Sequence, residues 1–297
     1  MMHQGVLKYA GWRYLWWGLG LSAVSVVLYA TQGGDHPARG DTWQGYTLGT
    51  LAALLVLWLT MLGIRKRRYA SGLGSVQGWT SAHIYFGISV VVIATLHCAA
   101  EFHWNVHTFA YFLMCAVVLS GILGVLAYAQ FPRQLAANRE GGSRSQLFAE
   151  LFELDKQGRV LGQRCDPRIA VAVKSSIERT TIGGGVLAQL LAIDRSLFEP
   201  GESAAPGGKP GLTRNADQRA VINWVSRRVP RADKGAEAGN LQALVLLLCR
   251  RQTVLRRIRR DIQLQGWLKV WLYLHVPLTI ATLAALTVHI LTSFLYW

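Results

Sequence analysis

Acidic residues are scarce in this sequence: 16 Asp and Glu stand against 31 Lys and Arg in 297 residues, a formal net charge of +15. The long apolar runs hold almost none of those acids, which argues against a transporter that works through intramembrane carboxylates. Cysteine is also thin. Cys98, Cys115, Cys165 and Cys249 are scattered, with no CxxC, no CxxCH and no clustered set for an iron–sulfur centre, so a metal centre in this chain falls to histidine. A dinucleotide fingerprint is missing as well. Gly183, Gly184 and Gly185 lack the GxGxxG spacing and no βαβ pattern surrounds them; they read as a turn between helices. The stretch around them is too short and too poor in strand patterns for a flavin domain plus a nicotinamide domain, which disfavours a self-contained NADPH-driven reductase.

What the chain has is apolar length. It is 52% hydrophobic, and five runs, at 11–30, 46–64, 80–100, 106–128 and 268–297, are long enough to cross a bilayer as helices of about 20 residues. Trp16, Trp17, Trp43, Trp79, Trp104, Trp267 and Trp297 fall near the ends of these runs, where an amphipathic indole prefers the interface. The expected fold is an all-α integral membrane protein with five transmembrane helices and a mostly helical insertion. Residues 1–130 form a four-span region, 131–265 the insertion, and 266–297 the last span.

The basic excess follows topology rather than nucleic-acid binding. Arg65, Lys66, Arg67 and Arg68 follow the second run, Arg133, Arg139 and Arg144 follow the fourth, and Arg256, Arg257, Arg259 and Arg260 precede the fifth, while the alternate loops are nearly bare. The positive-inside rule then puts the N-terminus and the insertion in the cytoplasm and the C-terminus in the periplasm of a bacterial inner membrane, with the first run as an uncleaved signal anchor. In the insertion, Leu147, Phe148, Leu151 and Phe152 make one amphipathic stripe. Leu241, Leu244, Val245, Leu248, Leu255 and Ile258 make another. Residues 199–215, rich in Gly, Pro and Ser, read as a loose loop. The insertion is expected to lie against the membrane face as a docking platform. Six arginines between 250 and 260 read as a topogenic cluster at an anionic leaflet, some of them available, with Lys269, to carboxylates of a bound group.

Histidine carries the chemistry. His83 and His97 are 14 residues apart in the third run, and His275 and His289 repeat that interval in the fifth. Fourteen steps of a helix return to within about 40° of the starting direction, roughly 21 Å further along. Each helix thus presents two imidazoles on one face, and the two runs, both entering from the same side, set His83 level with His275 and His97 level with His289. Two opposed pairs suit two bis-histidine haems. Gly87, Val90 and Ala94 on one helix, and Ala281, Thr282 and Ala285 on the other, are small residues that leave room for a macrocycle. Ser120, Gly121 and Gly124 on the fourth run let a neighbour approach.

The segments HIYFGISVVVIATLH and HVPLTIATLAALTVH resemble the paired-histidine helices of bacterial di-haem b-type membrane cytochromes, the cytochrome b and b561-like groups. The resemblance covers the apolar runs and not the insertion. It implies two haem b groups with His83, His275, His97 and His289 as axial ligands and Gly87 and Gly121 at the cofactor. The implied role is electron transfer between a quinone pool and a periplasmic c-type cytochrome or other redox subunit. His103 and His107 are candidate propionate or quinone contacts, as is Lys269. The competing expectations are a stand-alone quinol or quinone oxidoreductase, and a non-haem histidine-based metal transporter or membrane anchor.

Overall fold

The computed structural model of the chain describes residues 5–31, 42–67, 72, 74–201, 211–229 and 235–295. The α-helices among them are α1 (Arg13–Ala30), α2 (Trp43–Arg67), α3 (Val76–His97), α4 (Val106–Arg139), α5 (Arg144–Gln163), α6 (Pro167–Glu178), α7 (Val186–Leu190), α8 (Arg219–Ser226) and α9 (Ala236–Leu295). Two compact units result: Met1–Leu126 with Trp271–Trp297, and Ala127–Val270.

Four helices, α2, α3, α4 and α9, carry stretches long and apolar enough to cross a membrane. Leu54, Leu119, Ile280 and Phe294 are among the large apolar side chains they leave exposed, as lipid-facing residues must be. The chain is therefore an α-helical membrane protein in contact with lipid. The run at 11–30 folds as the 18-residue α1, at the lower limit of a spanning length. The run at 80–100 folds as a helix shifted towards the N-terminus: α3 begins at Val76 and stops at His97, and Ala99 and Ala100 turn into the left-handed region at φ 49° and 57°. The last run is not a separate element. The insertion's second stripe and the run at 268–297 belong to one 60-residue helix, α9, because between 250 and 268 the sequence offers good helix formers and no breaker other than Gly266.

In the first unit α2 and α3 pack through Leu48 and Ala52 against Val90, Ile93 and Ala94, with Met114 of α4 joining them. At Gly18 the Ser89 hydroxyl donates to the glycine carbonyl at 3.0 Å, a contact that needs a residue without a side chain. Val90 is fully buried in this cluster, so it packs α3 on α2 rather than leaving space for a macrocycle.

In the second unit, Ser143 and Gln146 cap α5 reciprocally, and Asp166 caps α6, whose first residue is Pro167. The stripe that α5 buries is Leu147, Leu151 and Leu154, set against Leu247, Val254, Leu255 and Ile258 of α9. Phe148 and Phe152, expected in that stripe, lie about a quarter turn round and are exposed. A second cluster joins α6, α8 and α9 through Ile169, Val173, Val221, Val225, Leu241, Leu244 and Leu248. Leu197–Phe198 (β1) and Thr213–Arg214 (β2) pair as a short antiparallel ribbon, which the sequence reading passed over. Most of the expected loop, residues 202–210, lies outside the described residues.

The arginine cluster also forms ion pairs within the protein. Arg250 meets Glu150 at 2.8 Å, Arg251 meets Asp155 at 2.5 Å, Arg259 meets Asp194 at 2.8 Å, Arg256 pairs with Asp217 and Arg257 with Glu140. Arg260 donates to Gln134 and Gln263. These guanidiniums tie α9 to the rest of its unit, where the few available carboxylates are spent. At Asp217 the Arg256 and Arg219 guanidiniums hold the carboxyl below its ordinary value. Its folded value lies below the unfolded one, so these pairs stabilise the unit fully above about pH 4 and lose effect as pH falls through the folded value. Asp217→Asn keeps a residue tolerant of the left-handed φ of 53° found there. Its stability deficit against the parent chain, followed by thermal unfolding, should be largest at neutral pH and should shrink towards pH 2.

Candidate functional site

The four histidines of the two matched intervals all lie in the first unit, on α3 and the last part of α9. Each has a defined partner. His83 Nδ1 donates to the Leu59 carbonyl at 3.1 Å and His97 Nδ1 to the Gly45 carbonyl at 2.8 Å, both on α2. His275 Nδ1 is 2.7 Å from the Ser120 hydroxyl, whose own proton goes to the Val117 carbonyl at 2.7 Å, so the imidazole is the donor there. A carbonyl or a committed hydroxyl on Nδ1 fixes the tautomer and leaves the Nε2 lone pair free in all three. That is the arrangement that orients a metal-binding imidazole and raises its basicity.

His97 and His289 face each other with ring centroids 6.1 Å apart and planes at 87°. Two imidazoles on opposite sides of one metal ion, each bonded at about 2 Å, have centroids about 6 Å apart. His83 and His275 lie close enough for their charges to interact. The Cys, Asp and Glu side chains among the described residues form no group of three or more with histidine. Two histidines at a level could hold a metal whose remaining positions come from a macrocycle, whereas a bare zinc ion takes four ligands.

Beside His97 and His289 is a cavity of about 920 Å³, also lined by Tyr46, Gly49, Tyr111 and Leu286. It has the size of a site for a large planar group, mostly apolar with a few polar atoms. His103 and His107 line it too. His103 stays in the connection between α3 and α4, with its backbone N–H on Thr108. His107, on the first turn of α4, is not a free interfacial side chain: its Nδ1 is 2.5 Å from His289 Nδ1. Lys269 is exposed and belongs to the second unit.

Glycines set how closely these rings are held. A Cβ at Gly49 would meet the His97 ring at 2.7 Å, and one at Gly124 would clash with the Trp271 ring. Trp271 in turn stacks on His275 with centroids 5.2 Å apart and donates Nε1–H to the Ser120 carbonyl at 2.7 Å. Gly121 lies 3.5 Å from the His275 ring by the same measure, while Gly87 faces open space. Ser120, Gly121 and Gly124 therefore admit the His275 and Trp271 side chains rather than another backbone. The sequence reading missed Gly45, Gly49 and the Leu59 carbonyl, although a stripe of small residues at 45, 49, 52 and 53 on α2 was there to be seen. It also missed Lys66, whose charge acts on both His83 and His275.

No family model, no curated protein and no solved structure matches the chain.

Proposed function

We propose that this chain is a di-haem b membrane cytochrome that moves electrons across a bacterial inner membrane between a quinone pool and a periplasmic redox partner, as a subunit of a larger complex. His83 and His275 would hold one haem, His97 and His289 the other. A haem held between two histidines would supply reversible one-electron transfer.

The observation that carries the reading is the set of Nδ1 hydrogen bonds, which frees Nε2 on opposed helices at two levels about 21 Å apart. The other residues serve that arrangement. Gly49 and Gly124 give the rings their space, Trp271 braces His275, and Lys66 supplies positive charge beside the His83 level, suited to a propionate. His103 and the cavity next to His97 and His289 favour a second occupant such as a quinone headgroup at that level. The basic residues after α2 and α4 place those helix ends, and the N-terminus, on the cytoplasmic side.

The full chain purified from membranes should give a low-spin b-type reduced-minus-oxidised spectrum, and a pyridine haemochrome assay should return two haems per chain. A colourless chain in fully folded form would sink the proposal.

A further inference from the structure

From Thr180 to Ile193 the chain carries no charged side chain, a 14-residue gap in a unit otherwise dense in arginine. Helix α7 lies at its centre. Leu190 is turned inward, while Val186, Leu187 and Leu191 are 65%, 73% and 63% exposed, and Ile193 beside them is exposed as well. A cluster of this kind is unusual on a surface that faces water.

Its position says what covers it. Gln263 Nε2 donates to the Leu190 carbonyl at 2.9 Å, and a Cβ on Gly266 would meet Leu190 at 3.3 Å. Thus α7 is fixed against the turn of α9 that comes just before Trp267, where the last apolar run starts. A second helix marks the same level. Arg260 donates to Gln134 and Asn138 donates to the Arg257 carbonyl, both at 2.8 Å, so α4 and α9 run side by side here in opposite directions. The apolar run of α4 ends six residues before Gln134, and that of α9 begins eight after Arg260. At 1.5 Å per residue the two edges agree in height to within about 3 Å. Exposed Arg179 and Arg195 bracket the uncharged segment.

We infer that residues 182–193 form a membrane-surface anchor. Val186, Leu187, Leu191 and Ile193 enter the boundary between headgroups and acyl chains of the leaflet at which α4 and α9 leave the bilayer, and Arg179 and Arg195 meet phospholipid phosphates. Gly183, Gly184 and Gly185, with Gly184 at φ 132°, give the backbone the freedom to dip and return. The inference rests on α4 and α9 crossing the membrane, as proposed above, and not on the haems.

The test uses the full chain in vesicles of phosphatidylethanolamine and phosphatidylglycerol. In a background with Cys98, Cys115, Cys165 and Cys249 replaced, nitroxide labels are placed singly by Leu187→Cys, Leu191→Cys, Ile280→Cys and Arg164→Cys. Collision with oxygen, which concentrates in lipid, is compared with collision with a water-soluble nickel chelate. The oxygen-to-nickel ratio at 187 and 191 should resemble that at 280 and exceed that at 164 several-fold. Ratios like that of 164, with 280 still in lipid, overturn the anchor and leave the membrane reading intact. Shielding from both reagents means that protein covers the patch and overturns it too. A water-like ratio at 280 removes both. Photoactivatable phospholipid on the unsubstituted chain provides a measurement free of any mutation: adducts should map to 182–193, and their absence there beside adducts on α9 overturns the anchor.

Discussion

A chain carrying His97→Ala and His289→Ala should retain one haem where the parent holds two, with the spectrum of the His83 and His275 level unchanged. The double change is the decisive one, because His107 Nδ1 lies 2.5 Å from His289 and stands ready to fill a single vacancy. With one proposed ligand per helix at each level, losing both leaves at most His107 there, too few for a bis-histidine site, while the other level, about 21 Å away, would keep its two. Electron delivery from a quinol to a periplasmic acceptor should stop, although the remaining haem should still be reducible from one side. The matching pair His83→Ala and His275→Ala should remove the other haem. Haem content measured by pyridine haemochrome decides it; two haems in either double variant would overturn the assignment of ligands.

The largest stability effect is expected in the second unit, at Asp155. Arg251 is buried to 1% exposure, and its guanidinium is held by Asp155 at 2.5 Å, the Gln218 side chain at 2.8 Å and the Thr180 hydroxyl at 3.0 Å. Asp155 itself is 23% exposed. Removing the carboxylate leaves a buried cation with only neutral partners, and Asp155→Ala should destabilise the unit by about 3–5 kcal/mol. Arg251→Met is the milder change. The carboxylate left behind reaches water, and the methionine fills most of the space, so the loss should be clearly smaller. Thermal unfolding of the full chain in detergent separates the two, and equal losses would show that the pair is not what holds α5 to α9.

The histidine pattern was legible without coordinates because a helix has a fixed period. Intervals of 14 in two apolar runs leave little freedom in where the rings on one helix point, and His97 and His289 face each other in the structure. The run lengths were legible for a similar reason: a bilayer has a thickness, and the helices at 43–67, 76–97, 106–128 and 268–295 meet it. Less readable were the partners across helices. The Gly45 and Leu59 carbonyls carry no side-chain signal at all, and His107 reads as a loop residue until α3 is seen to stop at His97 and bring α4 back beside α9. The ion pairs of the arginines between 250 and 260 were not readable, because in sequence nothing links a guanidinium to a carboxylate a hundred residues away.

The sequence by itself determined that the chain is helical and apolar enough for a membrane, and that two of its apolar runs each carry a pair of histidines 14 residues apart. Local periodicity and composition are enough for that, since each depends only on residues within one helix. Tertiary structure decided which nitrogen of each histidine is free, which glycines the rings require, that the insertion's last helix and the final span are one, and that the arginines are engaged in ion pairs. Those outcomes depend on atoms brought together from distant parts of the chain, and no repeat along a single segment encodes them.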